Sequence, residues 1–415
     1  MKILFLSIGD IPSIRHHEIY PDLLREFIRN GNEVYVVCSR EKRTGLPTEL
    51  IEEDGAKLLK VHIGNITKTN LLEKGFSTLL VGNQYKRAIK KFFSNTKFDM
   101  IIYSTPPITL SGVVEYLKKR DNARTYLLLK DIFPQNAVDI GMMSTTGFKS
   151  FLYKHFRSQE KKLYKISDRI GCMSPANVEY VLNHNREVKA RDNAARLHTG
   201  KGIVEVCPNS IEIMDMSVDE TIKKEIRLKF GIPLDKTVFI YGGNLGKPQG
   251  IPFMIDCLKK CESIDSTFFI IVGDGTEAHL VQEYVEEKKP VNVKYLKRLP
   301  KADYDIVVGA CDVGLIFLDH RFTIPNFPSR LLSYMQAKLP VLACTDPNTD
   351  IGKVIVNGVF GWWCESNDPC EFKRLVNEIL NTNFSGLDQN AWNSLVNNYT
   401  VSKTYSIIMT SVDNC

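Results

Sequence analysis

Three stretches of the 415-residue sequence carry side chains of the kinds that hold and transfer charged groups. In VFIYGGNLGKPQG (238–250) a β-branched and aromatic run breaks into glycines at 242, 243 and 246 and then into helical spacing. Glycines at a strand-to-helix turn uncover backbone N–H groups where the peptide dipoles place partial positive charge, which is a seat for phosphate. Lys247 adds a full positive charge, and Asn244 and Gln249 add neutral donors. The same kind of turn also serves plain packing. A second glycine-rich strand end follows at Gly273-Asp274-Gly275, and IPNFPSRLLSYMQAKL (324–339) is a proline-limited turn opening a helix with Ser329 and Arg330 in its first turn. Two such helix starts, with Lys247 and Arg330, suit a diphosphate better than a single phosphate. The third stretch is KDIFPQNAVDIG (130–141), where Lys130 and Asp131 follow the apolar run RTYLLL. An ammonium and a carboxylate at the tip of a buried parallel strand stand where α/β proteins do their chemistry, although a loop salt bridge or a helix cap would use the same residues.

The elements that must position these groups follow from the periodicity. Apolar runs at 2–8, 33–38, 57–63, 99–104, 124–129, 169–174 and 203–210 read as strands, separated by helical patterns such as 18–30 and 148–169. A second series at 238–243, 267–275, 292–296, 313–318 and 340–345 again alternates with helices. Alternation of this kind specifies an α/β protein with two doubly wound, parallel-sheet (Rossmann-like) domains. We place them at 1–212 and 213–390, followed by a tail at 391–415. Gly9 ends the first strand at the carboxyl edge of its sheet, and Arg15, His16 and His17 lie just beyond, in a solvated loop or in a binding role. Residues 186–202 read as a surface loop, and GWWCESNDPCEFKRLVNEIL (361–380) as an edge loop plus helix.

Composition narrows the class. With 43% hydrophobic and 25% charged residues the chain is a soluble globular type, and no run reaches the ~18 uncharged apolar residues of a membrane span. The opening MKILFLSIGDIP is expected to be a strand and not a leader, since no small-residue cleavage site follows. Ten cysteines without a CxxC pair point to a reducing, cytoplasmic setting, with neither a disulfide frame nor a zinc site. Residues 1–200 carry about 32 Lys and Arg against about 21 Asp and Glu, so the basic charge is concentrated in the first half. Basic helical segments at 85–98, with Tyr85, Ile89, Phe92 and Phe93 on one face, and at 148–169 fit either contact with an anionic membrane or packing on their own sheet.

Taken together, YGGNLGKPQGI (241–251), IIVGDGTE (270–277), FPSRLLSYMQAKLPV (327–341), KDIFPQNAVDIG, SDRIGCMSP (167–175) and VCPNS (206–210) resemble family 4 glycosyltransferases over nearly the whole chain. The resemblance is greatest to the bacterial capsule and O-antigen branch, enzymes similar to L-fucosamine transferases. It implies the GT-B fold, with a nucleotide-sugar donor on the second domain, an acceptor on the first, a cleft between them, and a tail at 391–415 that crosses back to the first domain. It also implies transfer with retention of configuration, no bound metal and no cofactor beyond the donor, with a UDP-sugar favoured. The acceptor implied is an undecaprenyl-diphosphate-linked saccharide, reached by a cytoplasmic enzyme in peripheral contact with the inner face of the plasma membrane; nucleic acid is not a partner. Carried over by position, donor binding falls to Gly9, Gly243, Asn244, Gly246, Lys247, Gln249, Gly273, Asp274, Pro328, Ser329, Arg330, Leu331 and Ser333. Asp131 and Lys130 take the catalytic places, and Arg15, His16 and His17 are candidates for the acceptor. The sequence departs from the family pattern at several of these positions. Arg330 stands where a lysine is usual, Lys130 where many members have histidine, Phe133 where tryptophan is common, and Pro325 and Ser333 where the family has a pair of glutamates. Two other readings stay open on the sequence: a sugar-nucleotide 2-epimerase, which would need a carboxylate pair, and a non-catalytic nucleotide-sugar-binding partner.

Overall fold

The computed structural model describes residues 1–413 apart from Lys68, Asn70, Phe148 and Lys149. The first two residues of the helix expected over 148–169, and Cys415, lie outside the described residues. The chain divides into two compact units, one formed by 1–212 together with the segment from Thr400 onward, the other by Ile213–Tyr399.

In the first unit eight strands form one sheet: β1 (Lys2–Leu6), β2 (Glu33–Glu41), β3 (Glu49–Glu53), β4 (Ala56–Ile63), β5 (Met100–Ser104), β6 (Arg124–Leu129), β7 (Arg169–Cys172) and β8 (Val204–Val206). Their order is β3-β4-β2-β1-β5-β6-β7-β8. Helices cover both faces, so strands such as β1 and β5 are apolar and buried almost throughout. Among the described strands only β3 runs antiparallel, on β4. It was not expected, yet Asp54-Gly55, both at positive φ, is the two-residue turn that closes such a hairpin. The final helix, Val401–Asp413, returns to this unit: Val401 and Ile408 enter its core, and Tyr405 meets Phe27 edge-on at 5.0 Å. That return begins at Thr400 and not at 391, because the preceding helix, Leu387–Asn398, packs on the helix Arg330–Gln336 of the second unit.

A further expectation is corrected at 186–202, and at 85–98 one of the two readings left open, packing on the sheet, is the one observed. Residues 186–202 are a helix, Arg186–Thr199, ended by Gly200 at φ 73°. Its inward face is marked by Val188 and by Asp192, which accepts from the Val204 amide at 2.9 Å, so the buried face is half polar and leaves no apolar period to read. In the segment 85–98, Tyr85, Ile89 and Phe93 are buried, with the Tyr85 hydroxyl donating to Ser7 O at 2.6 Å. The apolar face proposed for lipid is used up inside the unit.

The second unit carries β9 (Thr237–Asn244), β10 (Thr267–Asp274), β11 (Val293–Lys297), β12 (Val313–Phe317), β13 (Val341–Thr345) and β14 (Gly361–Glu365), all parallel in the order β11-β10-β9-β12-β13-β14. The first part of the stretch read as an edge loop, GWWCE, is instead the edge strand β14, in register with β13. At the carboxyl ends of β9 and β10, Gly243 pairs with Gly273. Gly243 sits at φ 137°, and a Cβ on Gly273 would come within 2.1 Å of the Gly243 carbonyl oxygen. Two glycines therefore let the strands stay paired to their tips. Gly273→Ala must push backbone against backbone, and a loss of ~1–3 kcal/mol in urea unfolding is expected; unchanged stability would show that the strand ends are not held this closely.

Candidate active site

The donor-side residues gather at the carboxyl edge of the second sheet. Arg330 opens a short helix, Arg330–Gln336, and its guanidinium lies over the Tyr241 ring with Cζ 4.2 Å from the centroid. It also touches Gly243, where an added Cβ would stand 3.1 Å from Nη2. An arginine cannot shed its charge in a protein, and burial without a partner is costly. Even so, Nη1 of Arg330 is buried with no hydrogen-bond partner, and no carboxylate lies within ion-pair distance among the described residues. The arrangement can accept an anion, because the cation is fixed and one of its nitrogens is left without a partner. Two tyrosines complete its wall: the buried Tyr334 donates its hydroxyl toward Ile240 O and Leu315 O and accepts from the Gly242 amide, and the half-buried Tyr304 has its hydroxyl inside without a partner.

The glycine turn differs from the expected strand-to-helix junction. Lys247–Gln249 is one 3-10 turn, and the α-helix starts only at Ile251, after Gly250 at φ 61°. Pro248 lacks an N–H and Gly250 leaves helical space, which together break the run. Gln249 Oε1 accepts from the Gly246 amide (3.3 Å) and from Asn244 Nδ2 (2.9 Å), so Asn244, Gly246 and Gln249 brace the turn with these groups. Lys247 is exposed and has no ion-pair partner among the described residues. In the adjoining turn Asp274 Oδ1 accepts from the Gly275 amide at 2.8 Å, and Gly273 O accepts from the Tyr295 hydroxyl at 3.1 Å. Pro328 O receives the Leu331 amide (3.3 Å), Leu331 is fully buried, Ser329 is exposed, and Ser333 is half-buried on the same short helix. Sequence reasoning missed Tyr241, Tyr304 and Glu277. One carboxylate oxygen of Glu277 is buried and unpaired, and its amide donates to Leu245 O at 2.9 Å.

In the first unit, Lys130 and Asp131 leave the carboxyl end of β6 as expected. They do not pair with each other. The Thr105 hydroxyl accepts from the amides of Lys130 (3.0 Å) and Asp131 (3.3 Å), fixing the bend. Among the described residues Lys130 Nζ reaches only Cys207 O, at 3.4 Å, and burial pulls its pKa down to about 8. Burial likewise pushes the Asp131 carboxyl up to about 6, against the Asn136 amide, which donates 2.8 Å bonds to both of its oxygens. Thr105 and Asn136 carry no periodic signal in the sequence. Gly9 lies at the same edge, exposed, its amide donating to Ser7 Oγ at 3.1 Å.

The three acceptor candidates are placed elsewhere. The segment after Gly9 folds back over β4: Lys60 Nζ donates to Pro12 O at 2.7 Å, and Arg15 makes a two-pronged bond with Asp54 (2.6 and 2.9 Å) in the turn where β4 begins, at the amino edge of the sheet. His17 Nδ1 stands 3.4 Å from Glu212 and 3.7 Å from Asp22, two carboxylates already bound by Arg25. His16 is exposed, with no side-chain partner among the described residues. The His17, Asp22 and Glu212 groups are close enough to hold a cation, but Arg25 supplies one.

With this geometry in hand, residues 222–393 match the family Glycosyl transferases group 1, a span lying within the second unit. The "Probable glycosyltransferase WbjE" of Pseudomonas aeruginosa is 25% identical over 325 residues, 77% of this chain and 75% of that protein. Among solved structures, Anabaena Alr3699/HepE in complex with UDP superposes with a TM-score of 0.65 at 15% identity, covering 100% of both chains. WaaG, a glycosyltransferase involved in lipopolysaccharide biosynthesis, gives a TM-score of 0.65 at 13% identity over 98% of this chain and 99% of its own. The fold is GT-B, and the likeness of the second unit to Glycosyl transferases group 1 supports glycosyltransferase activity.

A carboxyl whose pKa is higher folded than unfolded favours folding below its unfolded pKa and costs stability as pH rises through its folded value. For Asp131 that window runs from the ordinary carboxylate range up to about 6. Asp131→Asn removes the cost and gives Asn136 Oδ1, which is buried and unpaired, a donor to accept from. The variant should melt higher than wild type at pH 7.5, by ~2 °C or more, with the difference closing as pH falls below 5. Equal melting points at pH 7.5 would contradict a buried, raised carboxyl.

Proposed function

We propose that the protein transfers a sugar, with retention of configuration, from a nucleoside diphosphate sugar to a lipid-linked saccharide in surface polysaccharide assembly. It belongs, on this reading, with the family 4 enzymes of the capsule and O-antigen branch. The observation that carries the proposal is the half-buried, unpaired Arg330 against Tyr241 and Gly243, with Lys247 exposed nearby in sequence on the glycine turn. As the glycosidic bond lengthens, charge accumulates on the departing diphosphate. Cations already in place stabilise that charge, most where they are shielded from water as Arg330 partly is, and less where they are exposed as Lys247 is. The HepE complex with UDP favours a uridine carrier. Ser333 offers a single hydroxyl for the nucleoside where a carboxylate is usual, and neither Pro325 nor Ser333 can supply the acid and base of an epimerase.

On the first unit, Lys130 and Asp131 would orient the acceptor and the electron-poor sugar, both titrating close enough to neutrality to exchange protons. In front-face transfer the leaving phosphate itself accepts the acceptor's proton, so no dedicated base is assigned. A lipid-linked acceptor is supported by Phe151 (77% exposed) and Leu152 (49% exposed) at the start of the helix Ser150–Ile166. The same helix flanks the Asp131 loop through the contact of Phe156 with Phe133, 5.1 Å between centroids. Exposed aromatic and aliphatic groups next to Lys154 suit the interface of an anionic bilayer.

Turnover of a panel of nucleoside diphosphate sugars with a polyprenyl-diphosphate saccharide tests the reading. Arg330→Ala and Lys247→Ala should each lower kcat/KM by ~100-fold. Activity within about threefold of wild type in both would remove the diphosphate assignment.

A further inference from the structure

The concentration of positive charge in the first unit is not absorbed by the site described above. A cavity of about 370 Å³ lies between the last turns of the helix Ser150–Ile166 and the start of the helix Arg186–Thr199. That helix end leads into the amino end of β7, whereas Lys130 and Asp131 follow the carboxyl end of β6. The cavity is thus at the opposite edge of the sheet from the candidate active site.

Its floor is Tyr164, Asn185 and Val188, all buried, and its rim is Lys161, Lys165, Arg186 and Arg191, with Glu187 the one carboxylate. Arg191 is pinned there: its guanidinium donates to Tyr164 O (2.8 Å) and Ser167 O (2.6 Å), closing the end of the first helix. Lys161, Lys165 and Arg186 have no carboxylate within ion-pair distance among the described residues. The 14-residue helix that starts at Arg186 also receives no side-chain cap, because Asn185 is spent elsewhere: its Oδ1 accepts from Arg157 (2.7 Å) and its Nδ2 donates to Val181 O (2.9 Å). Three cations without carboxylate partners, the pinned Arg191 and an uncapped helix start thus surround one cavity with a buried floor. Its volume falls in the range of small-ligand sites.

We propose that this cavity binds the phosphate or diphosphate group of a small molecule, held by Lys161, Lys165, Arg186 and the first-turn amides of the helix Arg186–Thr199. The group could be the headgroup of an anionic phospholipid or belong to a free phosphorylated metabolite; the recognition chemistry is the same. The proposal does not rest on the transfer reaction.

Calorimetric titration with inorganic pyrophosphate is done on the full chain carrying Lys247→Ala and Arg330→Ala, so that the candidate donor seat does not compete. Saturable binding at one site is expected, weakened ~10-fold or more by adding Lys161→Ala, Lys165→Ala and Arg186→Ala together. The matched set Lys224→Ala, Lys229→Ala and Lys260→Ala, on the second unit, should leave it unchanged. All six side chains are exposed, and an unchanged melting point verifies folding. Sedimentation with vesicles of phosphatidylglycerol against phosphatidylcholine separates the sources. Anionic-vesicle binding that pyrophosphate displaces and the triple variant loses identifies a headgroup, while saturable pyrophosphate binding without vesicle binding identifies a free metabolite. No saturable pyrophosphate binding, or binding indifferent to the triple variant, overturns the proposal.

Discussion

An arginine that cannot lose its proton is held half-buried with one nitrogen unsatisfied, and much of the second unit is shaped by that circumstance. Arg330 can stay there because Tyr241 presents a ring face to it and because Gly243 has no side chain to fill the space the guanidinium needs. Gly243 in turn depends on Gly273, whose missing Cβ lets the neighbouring carbonyl come close. A cation, an aromatic face and two glycines form one unit of preorganisation. Its energetic deficit in the free protein is what an anionic ligand would relieve.

The first unit stores a different kind of tension. Lys130 and Asp131 are sequence neighbours of opposite charge, yet they hydrogen-bond to Cys207 O and Asn136 respectively and not to each other. The salt bridge that the sequence left open would have neutralised both. Separate partners instead keep each group near its titration point, the lysine pulled down and the aspartate pushed up by the same burial. Thr105 is central to this, since it takes both backbone amides and so sets where the two side chains leave the chain.

The strands were legible because buried parallel strands are continuous β-branched and aromatic runs, and the glycine-rich tips and Arg330 stood out by residue type. What was hidden follows a pattern. The helix Arg186–Thr199 buries an aspartate along with a valine, so its inward face does not look apolar. β14 was obscured by two tryptophans at a sheet edge, where one strand face is partly open. The bracing of Asn244 and Gly246 by Gln249 depends on hydrogen-bond geometry that spacing cannot specify. Arg15 lies close to Gly9 in the sequence, but the segment between them is drawn across β4 by Lys60 and Glu53, and proximity along the chain did not become proximity in space.

The closing helix gives the polypeptide an unusual accounting of covalent continuity. Residues 1–212 on their own would lack Val401 and Ile408 from their interior and the Thr400 bridge to Ile211 at their border. Anyone wishing to isolate that half for crystallography or labelling must graft the terminal helix onto it through an artificial connector, whereas Ile213–Tyr399 can be excised as one uninterrupted piece.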